Sequence, residues 1–266
     1  MIFSVIGIGN MGQALVSGFL SKGVLQAKDI RVCDSDENKV LSFAQKTGCQ
    51  SFTIASEAVN GADYVLLCVK PQVIDKTVQD FLPSLSSNTV IISIAASVKI
   101  MRLRNLLHKS TPIVRVMPNT PALVGAAVNA VCFDGVNEVN MTFVLSLLET
   151  CGLVVPCDEK MLDAIGCVSG TGPAYVMLFI ESLADAAVKL GIPRSTALEI
   201  AAMTVYGSGK LAVETKTHPA VLKDQVCSPG GTTIEGVLAL EKFGLRAAVE
   251  AAVIAADDKT RLLAGG

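Results

Sequence analysis

The sequence predicts an α/β protein, in which a doubly wound parallel sheet is followed by an all-helical region. In the first half, short β-branched runs alternate with helix-length segments, a pattern typical of parallel strands joined by crossover helices. Most of these runs are apolar throughout, as expected for strands covered by helices on both faces. From about Asp158 onward, stretches rich in Ala, Leu and Ile replace them. We therefore expect a sheet domain at residues 1–157 and a helical domain at residues 158–266.

The β-branched runs define six predicted strands, which are residues 2–8, 30–33, 64–69, 90–94, 113–117 and 128–133. The first is followed by a predicted helix at residues 13–21. In the second half, Gly191-Ile192-Pro193 and Ser228-Pro229-Gly230-Gly231 interrupt the helical pattern. We find no internal repeat.

One predicted helix, residues 173–190, has a pattern that indicates whether the protein forms oligomers. Its charged residues are Glu181, Asp185 and Lys189, spaced four apart on a single stripe, and every other face is apolar. A small helical domain can hardly surround such a helix by itself, so we expect it to pack against a second subunit. The alternative is a central helix within its own domain.

Composition argues against several classes of function. The chain has 266 residues, of which 17% are charged, and a net charge of −2, which describes a compact globular protein. The absence of basic clusters argues against nucleic acid as a partner. No apolar run approaches the roughly 18 residues of a membrane-spanning helix, and Met1 leads directly into a strand-like segment. We therefore expect a cytoplasmic protein without membrane contact.

The eight cysteines are scattered singly, without a CxxC pair, and the chain has only two histidines. This distribution predicts buried free thiols and no metal site. His108 follows a helix-like segment and His218 precedes a proline, so we expect both to lie at the surface. Lys70 stands at a predicted strand end, where a lysine usually reaches solvent, and it is given no acid–base role.

The clearest chemical motif is a GxGxxG loop between the first predicted strand and the first predicted helix. Gly7 permits a tight turn, Gly9 lets the backbone approach a pyrophosphate, and Gly12 lets helix and strand pack closely. The N-terminus of the helix then favours the anionic phosphates. The motif therefore predicts a Rossmann-type dinucleotide site made by residues that follow one another in the loop: Gly7, Ile8, Gly9, Asn10, Met11 and Gly12.

Five further segments resemble those of pyrroline-5-carboxylate reductases over nearly the whole chain. They are Val69-Lys70-Pro71-Gln72, Ser93-Ile94-Ala95-Ala96, Met117-Pro118-Asn119-Thr120-Pro121, Ser169-Gly170-Thr171-Gly172-Pro173-Ala174-Tyr175 and Lys223-Asp224-Gln225-Val226-Cys227-Ser228-Pro229-Gly230-Gly231-Thr232-Thr233. The last is the most diagnostic of the five.

The resemblance implies an N-terminal Rossmann domain and a C-terminal helical dimerisation domain that interlocks with its partner's, in some relatives within a larger ring of dimers. It implies hydride transfer from NADPH or NADH to the imine carbon of 1-pyrroline-5-carboxylate, giving L-proline, at a site between cofactor and partner helices. It also assigns contacts with the cofactor to seven residues outside the glycine loop: Cys68, Val69, Lys70, Pro71, Ala95, Ala96 and Gln225.

The segment Ser228–Thr233 suits a carboxylate on physical grounds as well. A Pro-Gly-Gly turn that opens into a helix, predicted at residues 234–241, exposes backbone N–H groups beside hydroxyls, so an anion can be held without arginine. The plain alternative is helix capping by Ser228 or Thr232. By resemblance, the substrate carboxylate is bound by Ser228, Gly230, Gly231, Thr232 and Thr233.

The chain departs from the family pattern near the site. Many relatives carry a threonine three residues before the serine that corresponds to Ser169, whereas this chain has Gly166. Either Thr171 or a water makes a polar contact near the imine nitrogen, or the contact is dispensable. Thr171 is therefore our candidate catalytic neighbour. A protonated imine is already a strong electrophile, so a site of hydroxyls and small groups can suffice.

The choice between the two nicotinamide cofactors depends on Asp34, which follows the second predicted strand where Rossmann folds contact the adenosine ribose. A carboxylate there accepts hydrogen bonds from the ribose of NADH and repels the 2′-phosphate of NADPH. Asp36 and Glu37 add to this repulsion, and a flexible Lys39 can oppose it. We expect NADH to be used at least as well as NADPH, unless Asp34 merely caps the next helix.

Two other functions are compatible with a Rossmann domain followed by a helical domain. A 3-hydroxyacid dehydrogenase-like reductase predicts a catalytic lysine in the central helix, and residues 169–181 contain no lysine. A non-catalytic dinucleotide-sensing protein would keep Gly7, Gly9 and Gly12 but would not need the Ser228–Thr233 segment.

Overall fold

The computed structural model describes residues 1–263. Its first part is an eight-stranded sheet in the order β3-β2-β1-β4-β5-β6-β7-β8. The strands are β1 (Phe3–Ile6), β2 (Ile30–Cys33), β3 (Gln50–Phe52), β4 (Tyr64–Leu67), β5 (Val90–Ser93), β6 (Ile113–Met117), β7 (Ala127–Asp134) and β8 (Gly152–Pro156). The order of the first six strands is that of a Rossmann fold, so the predicted fold class is confirmed.

The helices beside the sheet are α1 (Asn10–Ser21), α2 (Glu37–Thr47), α3 (Ala55–Val59), α4 (Ile74–Phe81), α5 (Ile100–Leu106), α6 (Glu138–Glu149) and α7 (Glu159–Ser169). The rest of the described chain is helical: α8 (Gly172–Lys189), α9 (Arg194–Thr215), α10 (Pro219–Val226), α11 (Thr232–Lys242) and α12 (Leu245–Leu263).

The sequence prediction missed the two edge strands, β3 and β8. Strand β3 has three residues, none of which is buried, and β8 is only partly covered and ends in a proline. Neither therefore has the continuous apolar run that marks a strand buried on both faces. The sheet is also not parallel throughout, because β6 and β7 pair antiparallel, with Val116 opposite Val131.

The core of the sheet lies on its two faces, and the central strands β1, β4 and β5 are buried along their whole length. One apolar cluster joins β1 and β2 to α1, and it includes Phe3, Leu15 and Phe19. The other joins β4 and β5 to α4, and it includes Val78 and Phe81. These clusters fix the carboxyl ends of the central strands and the helices that follow them.

The backbone divides into two compact units, which we describe separately. One comprises residues 1–171 together with residues 256–263, and the other comprises residues 172–255. In the second unit α8 packs on α9 through a small buried cluster of Ala184, Ala197 and Ala201. Other apolar residues of α8 stay exposed in the single chain, with Met177 62% and Leu178 65% exposed. Helix α8 is therefore not the enclosed central helix of its own unit.

By length and composition, one stretch of the described residues, Glu159–Lys189, is apolar enough to cross a membrane. It contains no unbroken apolar run of 18 residues, because scattered glycine, serine and charged residues interrupt the large apolar side chains. A single such stretch is weak support for a membrane span, since helices that pack in soluble proteins pass the same criterion.

Candidate functional site

The turn after β1 requires glycine at its first position. Gly7 has a φ of +97°, and its N–H donates a hydrogen bond to the Cys33 carbonyl oxygen over 2.8 Å. A Cβ added at Gly7 would lie 2.8 Å from the carbonyl carbon of Cys68, so any other residue would be strained and would clash. The close approach brings the ends of β1, β2 and β4 together.

The next two glycines of the loop have different surroundings. A Cβ at Gly12 would lie 2.5 Å from the Gly7 carbonyl oxygen, so this glycine allows α1 to pack on the turn. Gly9 is the N-cap residue of α1, and a Cβ there would have no atom within 4 Å. Because no side chain caps this helix, the amides of its first turn are free for an anion. The loop therefore fits a pyrophosphate that approaches Gly9.

Asp34 joins the glycine loop to the turn after β2. Its Oδ2 accepts a hydrogen bond from the Ile8 N–H over 2.9 Å, and its Oδ1 accepts one from the Asp36 N–H over 3.0 Å. The Lys39 ammonium lies 3.6 Å from Oδ1. The N-cap residue of α2 is Asp36, which accepts from the Lys39 N–H, so Asp34 is not the helix cap. The side chain of Asp34 is 13% exposed and keeps part of its surface for a ligand.

A cleft of about 480 Å³ opens beside Asp34 at the carboxyl ends of β1 and β2. Gly7 and Asp34 lie on one side of it, and Val69, Lys76 and Thr77 lie on another. Ligands of open α/β sheets bind at this edge of the sheet, where the strand order reverses. The cleft is therefore suited to the adenosine end of a dinucleotide whose phosphates lie at α1.

The loops that follow β4 and β5 form a wall next to the glycine loop. Cys68 packs against the glycine loop, since a Cβ at Gly12 would lie 3.4 Å from the Cys68 Cβ, and burial raises the pKa of its thiol. Its neutral thiol adds no charge to the wall. Val69 is partly buried, Lys70 is exposed, and Pro71 opens a short 3-10 turn.

The loop after β5 holds Ala95 and Ala96. The Ala95 N–H donates to the Ser93 Oγ over 3.3 Å, and Ala95 is buried while Ala96 is exposed. The next residue, Ser97, has a φ of +60°, which is uncommon for any residue but glycine. The Ile94 N–H donates to the Leu67 carbonyl oxygen, so the start of this loop lies beside the end of β4.

Asn119 is a buried residue whose amide links two segments of the chain. The sequence alone assigns it no role. Its Nδ2 donates to the Ser169 carbonyl oxygen over 2.8 Å, and its Oδ1 accepts from the Val128 N–H over 2.9 Å. Both ends of the amide are used, so Asn119 fixes the C-terminal end of α7 to the start of β7. The segment Met117–Pro121, which resembles the family pattern, is the signal in the sequence that points to Asn119.

The environment of Gly166 explains how the chain accommodates its departure from the family pattern. A Cβ at Gly166 would lie 3.1 Å from the Met117 Cγ, and one at Gly170 would lie 3.1 Å from the Met117 Cε. The Met117 side chain therefore fills the space beside these two glycines. A threonine at position 166 would have to displace it.

Thr171 directly follows α7 and Gly170. Its hydroxyl donates to the Cys167 carbonyl oxygen over 2.5 Å, and the residue is partly exposed. With the proton of the hydroxyl engaged, the lone pairs of Oγ1 remain to accept a hydrogen bond.

Arg115 secures the other end of α7. It is 2% exposed and bonds Glu159 Oε1 over 2.9 Å and Asp163 Oδ1 over 2.7 Å. The same Glu159 oxygen accepts the Ile100 N–H at the start of α5. A buried arginine with two carboxylate partners thus ties β6 to α5 and α7, the helix that leads to Thr171.

In the second unit, Ser228–Gly231 form a tight turn before α11. The Gly231 N–H donates to the Ser228 carbonyl oxygen over 3.0 Å, and Gly230 has a φ of +68°. A Cβ at Gly231 would lie 2.3 Å from the Ser228 Oγ, so any side chain at this position would displace the Ser228 hydroxyl. Pro229 followed by a glycine with positive φ matches a type II turn.

The N-terminus of α11 is not capped by a side chain. Its N-cap residue is Gly231, and within residues 1–263 the hydroxyls of Ser228, Thr232 and Thr233 make no side-chain hydrogen bond. The capping alternative for Ser228 and Thr232 is therefore not what the helix shows. Free amides and free hydroxyls lie together, with Glu235 as the acidic residue of the first turn. Gln225, near the end of α10, is exposed.

Comparison with known families matches each half of the chain. Residues 159–263 match the model described as pyrroline-5-carboxylate reductase dimerisation. Residues 2–97 match the model described as NADP oxidoreductase, coenzyme F420-dependent.

Relatives that extend over the whole chain are similar to it. A pyrroline-5-carboxylate reductase of Arabidopsis thaliana is 40% identical over 97% of this chain and 94% of its own length. One from Escherichia coli (strain K12) is 39% identical over 97% of this chain and 96% of its own. The crystal structure of a Plasmodium falciparum pyrroline carboxylate reductase with NADP bound matches with a TM-score of 0.89 and 30% identity, covering 99% of this chain and 98% of the other.

A 3-hydroxyisobutyrate dehydrogenase of Mycobacterium tuberculosis matches less well. Its TM-score is 0.52 at 18% identity, over 73% of this chain and 67% of its own. This likeness shows a shared fold alone, so it adds no support for a hydroxyacid dehydrogenase.

Proposed function

The chain belongs to the pyrroline-5-carboxylate reductase family, and from this premise we propose how its residues reduce 1-pyrroline-5-carboxylate to L-proline. It is an NAD(P)-dependent oxidoreductase of proline biosynthesis. The observation that carries the proposal for the site is the uncapped N-terminus of α11, where free amides lie beside three unengaged hydroxyls. A protein that only sensed dinucleotides would have no need of it.

The glycine loop holds the dinucleotide. The amides at the start of α1 bind its pyrophosphate, with Gly7, Ile8, Gly9, Asn10, Met11 and Gly12 as the contacting segment. Asp34 and Val69 line the cleft for the adenosine end, and Cys68, Lys70, Pro71, Ala95 and Ala96 form the wall that leads toward the nicotinamide. Gln225 is assigned to the nicotinamide side by family likeness. When bound, the reduced nicotinamide supplies the hydride for the imine carbon.

The substrate carboxylate binds at α11. The amides of Thr232 and Thr233, which follow Gly231, offer donors to both carboxylate oxygens together with the hydroxyls of Ser228 and the two threonines. Gly230 provides the turn that exposes them. This arrangement fixes the ring of the substrate through its anion and leaves the imine free to face the hydride donor.

Thr171 contacts the imine nitrogen as an acceptor. Since its proton is directed to the Cys167 carbonyl, Oγ1 accepts a hydrogen bond from the N–H of the protonated imine. The residue thus orients the electrophile and does not act as a proton donor. The reaction requires no strong acid in the protein, because the substrate imine arrives protonated from solvent.

The cofactor preference follows from Asp34. Its partly exposed carboxylate accepts hydrogen bonds from the ribose hydroxyls of NADH and repels a 2′-phosphate. The Lys39 ammonium, 3.6 Å away, weakens this repulsion but does not abolish it. NADH is therefore used at least as well as NADPH.

The active species is a homodimer with interlocked helical domains, which can assemble further into a ring of dimers. Support comes from the exposed apolar residues of α8 and α9, such as Met177 and Met203, and from the family match to a dimerisation domain. The enzyme acts in the cytoplasm, where its substrate and cofactors are soluble.

The test is a steady-state assay of the purified protein with 1-pyrroline-5-carboxylate and either NADH or NADPH. We expect oxidation of the cofactor at the rate at which L-proline forms, with kcat/KM for NADH equal to or above that for NADPH. Dinucleotide binding without proline formation would instead support a non-catalytic dinucleotide-sensing protein.

A further inference from the structure

We infer that Lys76 determines how well this chain binds a nucleotide with a phosphate on the 2′ position of its ribose. The inference rests on the proposed function, since it concerns the adenosine end of the same dinucleotide site. It adds a residue that neither the glycine motif nor the family likeness identifies.

Lys76 lies on α4, on the side that lines the 480 Å³ cleft. The core-facing residues of this helix are Ile74, Val78 and Phe81, which are buried. Lys76 and Thr77 lie between them in sequence and line the cleft together with Asp34 and Ser35. Lys76 therefore shares one cavity with the carboxylate that marks the ribose position.

The charged groups around the cleft leave the Lys76 ammonium without an ion-pair partner in the described residues. Its neighbour Asp75 pairs with Arg102 over 2.8 Å, and Asp34 has Lys39 as its partner. Asp80, one turn further along α4, also lines the cleft, yet within residues 1–263 no carboxylate oxygen lies within 4 Å of the Lys76 ammonium. In the described part of the chain, Lys76 is the one cationic side chain that lines this cleft.

The two charged groups act in opposite directions on the 2′ substituent. Asp34 favours a free hydroxyl because a carboxylate accepts a hydrogen bond from it and repels a phosphate. Lys76 favours a phosphate because an ammonium on a flexible four-carbon stem can reach it as a point charge. Their balance sets how strongly this chain discriminates between NADH and NADPH.

Direct binding to the protein separates this role from catalysis. Titration calorimetry would measure adenosine 2′,5′-bisphosphate and adenosine 5′-monophosphate on the wild-type protein, Lys76→Met and a control, Lys46→Met. Lys46 lies in the last turn of α2 and does not line the cleft. Methionine keeps the length and the apolar stem of lysine but removes its charge.

We expect Lys76→Met to weaken the bisphosphate about tenfold, as for the loss of one charged contact with a phosphate, and the monophosphate by less than twofold. Lys46→Met should leave both affinities as in the wild type. Equal losses for the two ligands in Lys76→Met, or no loss, would overturn the inference and leave the proposed function intact. A wild-type protein that binds neither ligand would overturn the dinucleotide site itself, and the inference with it.

Discussion

The two compact units of this chain bury their apolar side chains to very different degrees. In the first, Phe3 and Phe81 are 0% exposed, and two large clusters cover both faces of the sheet. In the second, the buried cluster contains only alanines, while Met177 and Met203 are 62% and 65% exposed. The first unit has a core of its own, whereas the second presents apolar surface that stays exposed in the single chain and that we propose a second subunit covers.

The same contrast separates the two anion sites. The glycine loop is built into the core, because Gly7 and Gly12 lie against backbone atoms that allow no side chain. The N-terminus of α11 lies in the sparsely buried unit, and its hydroxyls are exposed or half-buried. Substitutions at Gly7 and Gly12 should therefore affect stability and cofactor binding together, whereas substitutions at α11 should affect substrate binding alone.

The largest effect is expected at the glycine loop. Gly7→Ala places a Cβ 2.8 Å from backbone at a φ of +97°, so we expect a loss of several kcal/mol of unfolding free energy and no measurable cofactor binding. Gly9→Ala is the matched control for stability, because its Cβ enters open space at a φ of −71°. It should melt like the wild type but bind NAD(P)H at least tenfold more weakly. Denaturant unfolding and fluorescence titration measure the two quantities, and a Gly9→Ala protein with normal affinity would contradict the pyrophosphate assignment.

The next effect concerns the exposed face of α8. Met177→Glu adds a charge to the apolar surface that we propose is buried in the dimer, so the protein should sediment as a monomer and lose most of its activity. Lys189→Gln, at the far end of the polar stripe of the same helix, should remain oligomeric. If Met177→Glu sediments with the mass of the wild type, this face of α8 is not the interface.

These contrasts also show which parts of the structure can be predicted from the sequence alone. The central strands and the glycine loop were predictable because unbroken apolar runs and a fixed spacing identify them. The edge strands β3 and β8 were not, because half-exposed short segments carry no such run.

The roles of individual polar side chains were harder to predict. The bonds from Asp34 to the Ile8 and Asp36 amides depend on where the turn places those N–H groups. Asn119 bonds the distant Ser169, and Lys76 lines a cleft together with residues distant in sequence, which no local pattern encodes. Sequence therefore identified the segments of the site but not the contacts that organise them.

A smaller effect is expected at Gly166. Threonine there would push against Met117, whose Cγ would lie 3.1 Å from the new Cβ, and overpacking of this kind costs about 1–3 kcal/mol. That exceeds the few tenths of a kcal/mol gained by replacing glycine within a helix with threonine. Chemical denaturation should show the loss, and Met117→Val in the same protein should recover part of it. An unchanged midpoint in Gly166→Thr would mean that Met117 moves aside freely.

Asp34→Ser should give the smallest of these shifts. Removing the carboxylate should change the ratio of kcat/KM for NADPH over NADH about tenfold in favour of NADPH, equivalent to about 1.4 kcal/mol. The affinity for both cofactors should fall as well, because serine cannot accept from both Ile8 and Asp36. Asp36→Ser, which removes a nearby charge but keeps a capping side chain, is the control and should shift the ratio less. A wild-type enzyme with a strong preference for NADPH would contradict the role given to Asp34.

The most direct test of the central claim is the kinetics of Thr233→Val, since the claim assigns the substrate carboxylate to α11 and the cofactor to the glycine loop. Loss of a hydrogen bond to a charged group costs about 1.5–3 kcal/mol, so kcat/KM for 1-pyrroline-5-carboxylate should fall tenfold or more. The dissociation constant for NAD(P)H should stay within twofold of the wild type, and Thr217→Val, in the loop before α10, should behave as the wild type. Unchanged substrate kinetics in Thr233→Val, or an equal loss of cofactor affinity, would contradict the division of roles between the two sites.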